Sequence, residues 1–253
     1  MQLRSRSCVH AVVNNARSGS VLRQITVFQN GSFQAEEREL VEEVSYQLII
    51  NHTPVGRLSC SPWGQQHAAM GALYMSDTIQ CAEDISHIQF RENTGEIHVL
   101  ANTEGTAPVS AASSVPQPIS AAEICRLSAL LEEHSLLFQR TGGVHCAAVA
   151  RSGEFLSYAE DISRHAAVDK VAGICLEQKI PMKNSILVFS GRVPGEIVRK
   201  ADRMGCRAIV ARSAPTDFAC QLAEEKGIML IGFARENSFN IYSSPEQITE
   251  MIK

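Results

Sequence analysis

The sequence predicts an α/β protein, with a mostly parallel sheet covered on both faces and a small α+β unit before it. Two observations carry this, and a third divides the chain. From about residue 185 onward, short apolar runs alternate with helical stretches, as parallel strands buried on both faces do. Between residues 19 and 101, strand candidates surround one helix candidate. Between these parts, residues 102–119 (NTEGTAPVSAASSVPQPI) are small and polar and include Pro108, Pro116 and Pro118, which reads as a long loop or linker. The expected organisation is a flexible leader over 1–18, a small N-terminal unit over 19–101, a loop or linker over 102–119 and an α/β domain over 120–253.

A chain of 253 residues is long enough to bury a core, and 45% hydrophobic with 20% charged residues is ordinary for a soluble protein. A net charge of −4 argues against a nucleic-acid partner. No run approaches the ~18 apolar residues of a membrane span. Arg4 and Arg6 precede an apolar patch broken at His10, too short and polar for a signal peptide. A cytoplasmic location follows, with reduced thiols; none of the eight cysteines forms a C-x-x-C pair, and most read as small buried hydrophobes.

In chain order, Val21–Phe28 is a strand ending in an Asn30-Gly31 turn. Tyr46–Asn51 is a strand, broken at His52-Thr53-Pro54, with Val55–Ser59 as its hairpin partner. Pro62-Trp63-Gly64 turns into a helix over Gln65–Met75, and Glu96–Leu100 is a further strand. Ser120 and Glu123 form a capping-box pattern, in which Ser120 accepts from the amide at 123 and Glu123 reaches back to the cap. Ile124, Leu127 and Leu131 then give the apolar stripe of a helix over Ala121–His134. Ser185–Phe189, Ala208–Ala211 and Ile228–Phe233 are apolar strands. They alternate with helices over Pro194–Met204 and Thr216–Lys226, closed by Gly205 and Gly227. Phe239–Tyr242 is an edge strand and Pro245–Lys253 a last helix.

The stretch Arg140–Gly173 combines the most chemically able side chains with a strand–strand–helix pattern. Val144–Ala150 reads as a central strand, Phe155–Ala159 as its hairpin partner and His165–Glu177 as a helix, which Asp161 or Ser163 could cap. His165 and Asp169 share a helix face. The functional reading is a site at the strand end from Gly142, Gly143, His145, Arg164, His165, Asp169 and Lys170. The plainer alternative makes His165–Asp169 a surface pair, leaves Arg164 and Lys170 in solvent and makes His145 a core histidine. Gly191-Arg192, Arg212-Ser213 and Arg235 follow successive strands, so three arginines are expected to converge on one sheet edge as a phosphate site.

RTGGVHCAA and EDISRHAAVDKVAG closely resemble the signature of the formate dehydrogenase accessory proteins, the FdhD/NarQ family. The resemblance continues in Cys60-Ser61-Pro62, Ser190-Gly191-Arg192, Ala211–Thr216, and Ile231–Arg235 followed by Phe239–Tyr242, and covers roughly residues 40–245. It implies a cytidine-deaminase-like three-layer domain. It also implies a sulfur carrier, taking sulfur as a persulfide from a cysteine desulfurase. The sulfur passes to the molybdenum bis(molybdopterin guanine dinucleotide) cofactor before insertion into formate dehydrogenase. The guanine nucleotide is then expected near Phe233, Ala234, Arg235, Glu236, Asn237 and Ser238. A homodimer is expected as well. The family usually carries its persulfide on a C-x-x-C in the loop before the capped helix, and residues 102–119 contain no Cys. Sulfur relay needs a thiolate, so a binding-only member or cofactor chaperone is the alternative. Cys146 is the substitute thiol inside the signature, although strand alternation sets it opposite His145. A zinc deaminase is excluded, because the H-x-E position reads His145-Cys146-Ala147 and Pro215 is followed by no cysteine pair.

Overall fold

Strand runs that are apolar on both faces need two cores, and the computed structural model, which describes residues 19–103 and 118–251, has them. The leader, most of the linker and the last two residues lie outside the described residues. The larger sheet contains β7 (His145–Arg151), β8 (Glu154–Asp161), β9 (Ile186–Phe189), β10 (Ala208–Ala211), β11 (Met229–Gly232) and β12 (Asn240–Ser243). Its order is β12-β11-β10-β9-β7-β8. Strands β8 to β11 run one way and β7 and β12 the other. Alternate strand residues feed alternate cores. Ala147, Val149, Leu187 and Ile209 pack beneath α4 (Arg164–Glu177), α5 (Gly195–Met204) and α6 (Asp217–Lys226). Cys146, Ala148, Val188 and Val210 pack against Ile124, Leu127 and Leu131 of α2 (Ala121–His134). These are the expected three layers.

The N-terminal part has two sheets. A hairpin joins β1 (Ser20–Gln29) to β2 (Ser32–Val41). A four-stranded sheet, ordered β4-β3-β6-β5, contains β3 (Val44–Ile50), β4 (Thr53–Cys60), β5 (Ile85–Arg91) and β6 (Glu96–Ala101). It is covered by α1 (Gln65–Met75), which packs in turn on α4. The contact is backbone to backbone: a Cβ on Gly71 would lie 1.9 Å from the Asp169 carbonyl oxygen, and one on Gly173 would lie 2.1 Å from that of His67.

Several expectations are corrected. β2, β5 and a short helix α3 (Leu136–Thr141) were not expected. The expected helix from Pro245 is a pair of 3-10 turns, Pro245–Gln247 and Thr249–Met251. Ser120 accepts from the Glu123 amide at 3.1 Å, but the Glu123 carboxylate accepts from Gly153 at 2.9 Å, so the box is not reciprocal. Ser163 caps α4. His165 and Asp169 do not pair: His165 Nε2 meets Glu196 at 3.3 Å and Asp169 meets Lys200 at 2.6 Å. Lys170 is not in solvent; it is buried, 2.6 Å from Asp161 and 4.8 Å above the Trp63 ring. Asp161 also accepts from the Ser61 and Ser163 amides, so Cys60-Ser61-Pro62 is tied to the central stretch by a buried ion. Among the described residues no helix is long and apolar enough to cross a membrane.

Candidate functional site

The site is built where β9, β10 and β11 end and β7 begins, on one edge of the sheet. Ser190 closes that edge: its amide donates to the Cys146 carbonyl at 3.0 Å and its Oγ accepts from the Cys146 amide at 2.8 Å. The Arg212 amide donates to Phe189 and the Ala234 amide to Ala211, so each strand end is locked to its neighbour. The α2–α3 corner forms the opposite wall, and Gly142, at φ +65°, ends α3 in the left-handed conformation that glycine adopts without penalty. Between these walls lies a cavity of about 470 Å³. His145, Cys146, Ser190, Arg212, Ser213 and Arg235 line the sheet side; Glu132, Ser135, Phe138 and Gln139 line the helical side.

Two guanidiniums dominate the field. Arg212 Nη1 meets Glu132 Oε2 at 2.6 Å, and this contact, with Arg235 behind it, holds the Glu132 carboxyl below its ordinary range. Arg235 Nη1 donates to the carbonyls of Arg212 at 2.7 Å and Ala234 at 2.8 Å. Both of those acceptors are neutral. His145 stacks on Phe189, with ring centroids 6.4 Å apart. Burial lowers its pKa, and the nearby Arg164 and Arg192 lower it further, so the imidazole is neutral near pH 7.

The lining thiol is not activated. Cys146 is buried, its Sγ donates to Glu160 at 3.6 Å, and burial pushes its pKa up to about 11. Glu160 is itself pushed up by burial, so the pair is a neutral thiol beside a carboxyl that resists ionisation. Burial also pushes Cys60 up to about 12, Cys206 to about 12 and Cys175 to about 11, and it raises Cys81, Cys125 and Cys220. Every thiol among the described residues is therefore a poorer nucleophile than a free cysteine.

Of the residues singled out in the sequence, the structure brings His145, Cys146, Arg212, Ser213 and Arg235 to the cavity. Gly191 packs behind it, where a Cβ would stand 3.2 Å from His145 Nδ1. Arg192 is exposed and Arg164 half-buried; both act on His145 through charge and neither is among the lining residues. His165 faces Glu196, and Lys170 belongs to the Asp161 junction. Gly143 lies against Val41 at the hairpin base. Ala234 is buried, Phe233 is exposed at φ +52°, and Glu236, Asn237 and Ser238 form an exposed turn closed by an Arg235 to Ser238 backbone bond of 2.8 Å. Sequence reasoning missed Glu132, Ser135, Phe138 and Gln139. The signal present was the Gly142 C-cap, which implies a helical turn before it. Ser190 was quoted in a motif but not chosen. Among the described residues no His, Cys, Asp and Glu group could hold a metal ion.

Residues 101–249 match the model of the FdhD/NarQ family. The chain is similar to the sulfur carrier protein FdhD of Staphylococcus haemolyticus, 32% identical over 252 residues that cover 89% of this chain and 96% of the relative. It is also similar to that of Bacillus pumilus, 33% identical over 254 residues that cover 90% of this chain and 97% of the relative. Among solved structures it is similar to a protein from Desulfotalea psychrophila described as a formate dehydrogenase accessory protein. The TM-score is 0.79 at 27% identity, covering 90% of this chain and 99% of that one. With the order of the motifs and the shared fold, these matches show that the chain belongs to the FdhD/NarQ family.

Proposed function

We propose that the chain serves formate dehydrogenase maturation by holding the guanine nucleotide end of the molybdenum bis(molybdopterin guanine dinucleotide) cofactor, its cargo, in the sheet-edge cavity. One observation carries the reading: Arg212 and Arg235 stand together on a cavity whose only lining thiol among the described residues is buried and un-ionised. Two guanidinium forks suit a pyrophosphate, which accepts paired donors from each. The exposed Phe138 ring offers a face for a base, and about 470 Å³ lies within the roughly 300–1,000 Å³ of small-molecule sites. Neutral His145 supplies a hydrogen bond without a further charge.

The name of the relatives, sulfur carrier protein, favours a second reading: relay of a persulfide sulfur from a cysteine desulfurase to the cofactor. That step needs a thiolate within reach of the cargo, and residues 102–119 supply no cysteine for it. Calorimetric titration with GDP tests the holding role. Wild type is expected to bind, and Arg235→Ala to weaken binding about tenfold or more, the worth of a charged hydrogen bond in a partly enclosed site. No heat of binding from wild type contradicts the reading.

A further inference from the structure

Glu132 is oddly placed for a residue whose task is structural. It lies in the last turn of α2, where the helix dipole disfavours a carboxylate. Its side chain is 65% exposed, so no core contact holds it there. What holds it is Arg212, at 2.6 Å across the mouth of the cavity, while Gln139 Nε2 pins the Glu132 backbone carbonyl at 2.7 Å. Arg235, by contrast, donates only to neutral carbonyls in its hydrogen bonds. One of the cavity's two cationic side chains is thus occupied by an internal anion and the other is not.

From this geometry we infer that Glu132 is a built-in competitor for the anionic ligand. The carboxylate neutralises Arg212 through Nη1 in the empty cavity, and a diphosphate competes with it for that guanidinium. This rests on the nucleotide-holding reading and adds a regulatory contact to the same site. A ligand first meets Arg235. Transfer of Arg212 from Glu132 to the ligand then lets the α2–α3 corner move away from the strand ends. An exposed ion pair is a weak competitor, so the contact tunes affinity and release rather than closing the cavity.

The test is a double-mutant cycle with pyrophosphate and GDP as probes, at fixed ionic strength. Glu132→Gln keeps the size and helix propensity of the side chain. It is expected to tighten both ligands about two- to fivefold, the worth of an exposed pair. In an Arg212→Ala background the same change is expected to have no effect. A Glu132→Gln protein that binds as wild type does, or more weakly, overturns the inference and leaves the nucleotide-holding reading standing. Equal tightening with and without Arg212 overturns it too, because the effect is then general charge and not competition for that side chain. Absence of binding in wild type and variant alike overturns the holding reading and the inference together.

Discussion

His145 begins β7 at the cavity edge, with a half-buried ring and two arginines nearby, and each of these disfavours the imidazolium. Its titration midpoint, followed by the ring-proton NMR signal, is expected below the ordinary 6.5 and to rise in Arg164→Ala or Arg192→Ala. A midpoint at or above 6.5 in wild type contradicts this account. Because the folded pKa lies below the unfolded one, neutral His145 contributes stability above the unfolded value, and that contribution is lost as pH falls through the folded one. Asp169 has the opposite sign. Burial raises it to about 6 from 3.8, against the pull of Lys200. Its contribution is full below the unfolded pKa and lost as pH rises through about 6. Denaturant titrations between pH 4 and 7 are expected to show wild type losing stability relative to Asp169→Asn as pH rises over that range. A constant difference between the two proteins contradicts the assignment.

At the scale of elements, the joint between α1 and α4 carries the N-terminal unit on the α/β domain. Gly71 and Gly173 lie inside helices, where glycine costs about 1 kcal/mol relative to alanine. Close approach of the two backbones is the reason for them, since neither Cβ fits. Gly71→Ala or Gly173→Ala should therefore destabilise by about 1–3 kcal/mol despite better helix propensity. Chemical denaturation checks this, and an alanine variant as stable as wild type contradicts the joint. The elements legible in the sequence had strong local signals. β9, β10 and β11 are wholly apolar, and Gly205 and Gly227 close α5 and α6 where expected; Thr216, expected as the first residue of α6, is its N-cap. β2 was illegible because no residue of SFQAEERELV is fully buried; it is held by pairing with β1, by Glu39 to Arg140 and by Val41 against the cluster of Trp63, Leu137 and Val144. α3 is too short for a helical stripe, with only Leu137 buried. That omission hid Phe138 and Gln139 on the helical wall of the cavity, whereas Glu132 lies in the legible α2 and lacked only a visible partner.

Across the whole molecule, the sheet order brings together residues far apart in the chain. β7 enters between β8 and β9, which sets His145 beside Ser190, and the parallel run of β9, β10 and β11 delivers Arg212 and Arg235 to the same edge. The expected convergence of three arginines holds for two of them at the cavity; Arg192 turns to solvent after β9. The central stretch from Arg140 to Gly173 looked in sequence like an active centre with its own cysteine and histidine. In the fold its polar residues divide. Arg140 anchors the hairpin through Glu39, Lys170 is buried at the Asp161 junction and His145 reaches the cavity. Nothing in local spacing separates those fates, because burial of Lys170 depends on Trp63 and Ser61 from the other part of the chain. A nucleotide-holding protein whose described thiols stay protonated should carry no sulfur on them. Incubation with a cysteine desulfurase and sulfur-labelled cysteine, followed by mass mapping of the seven cysteines among the described residues, tests this most directly. No persulfide is expected on any of the seven while GDP binding is retained; a labelled persulfide on one of them, chased to the cofactor, would overturn the reading.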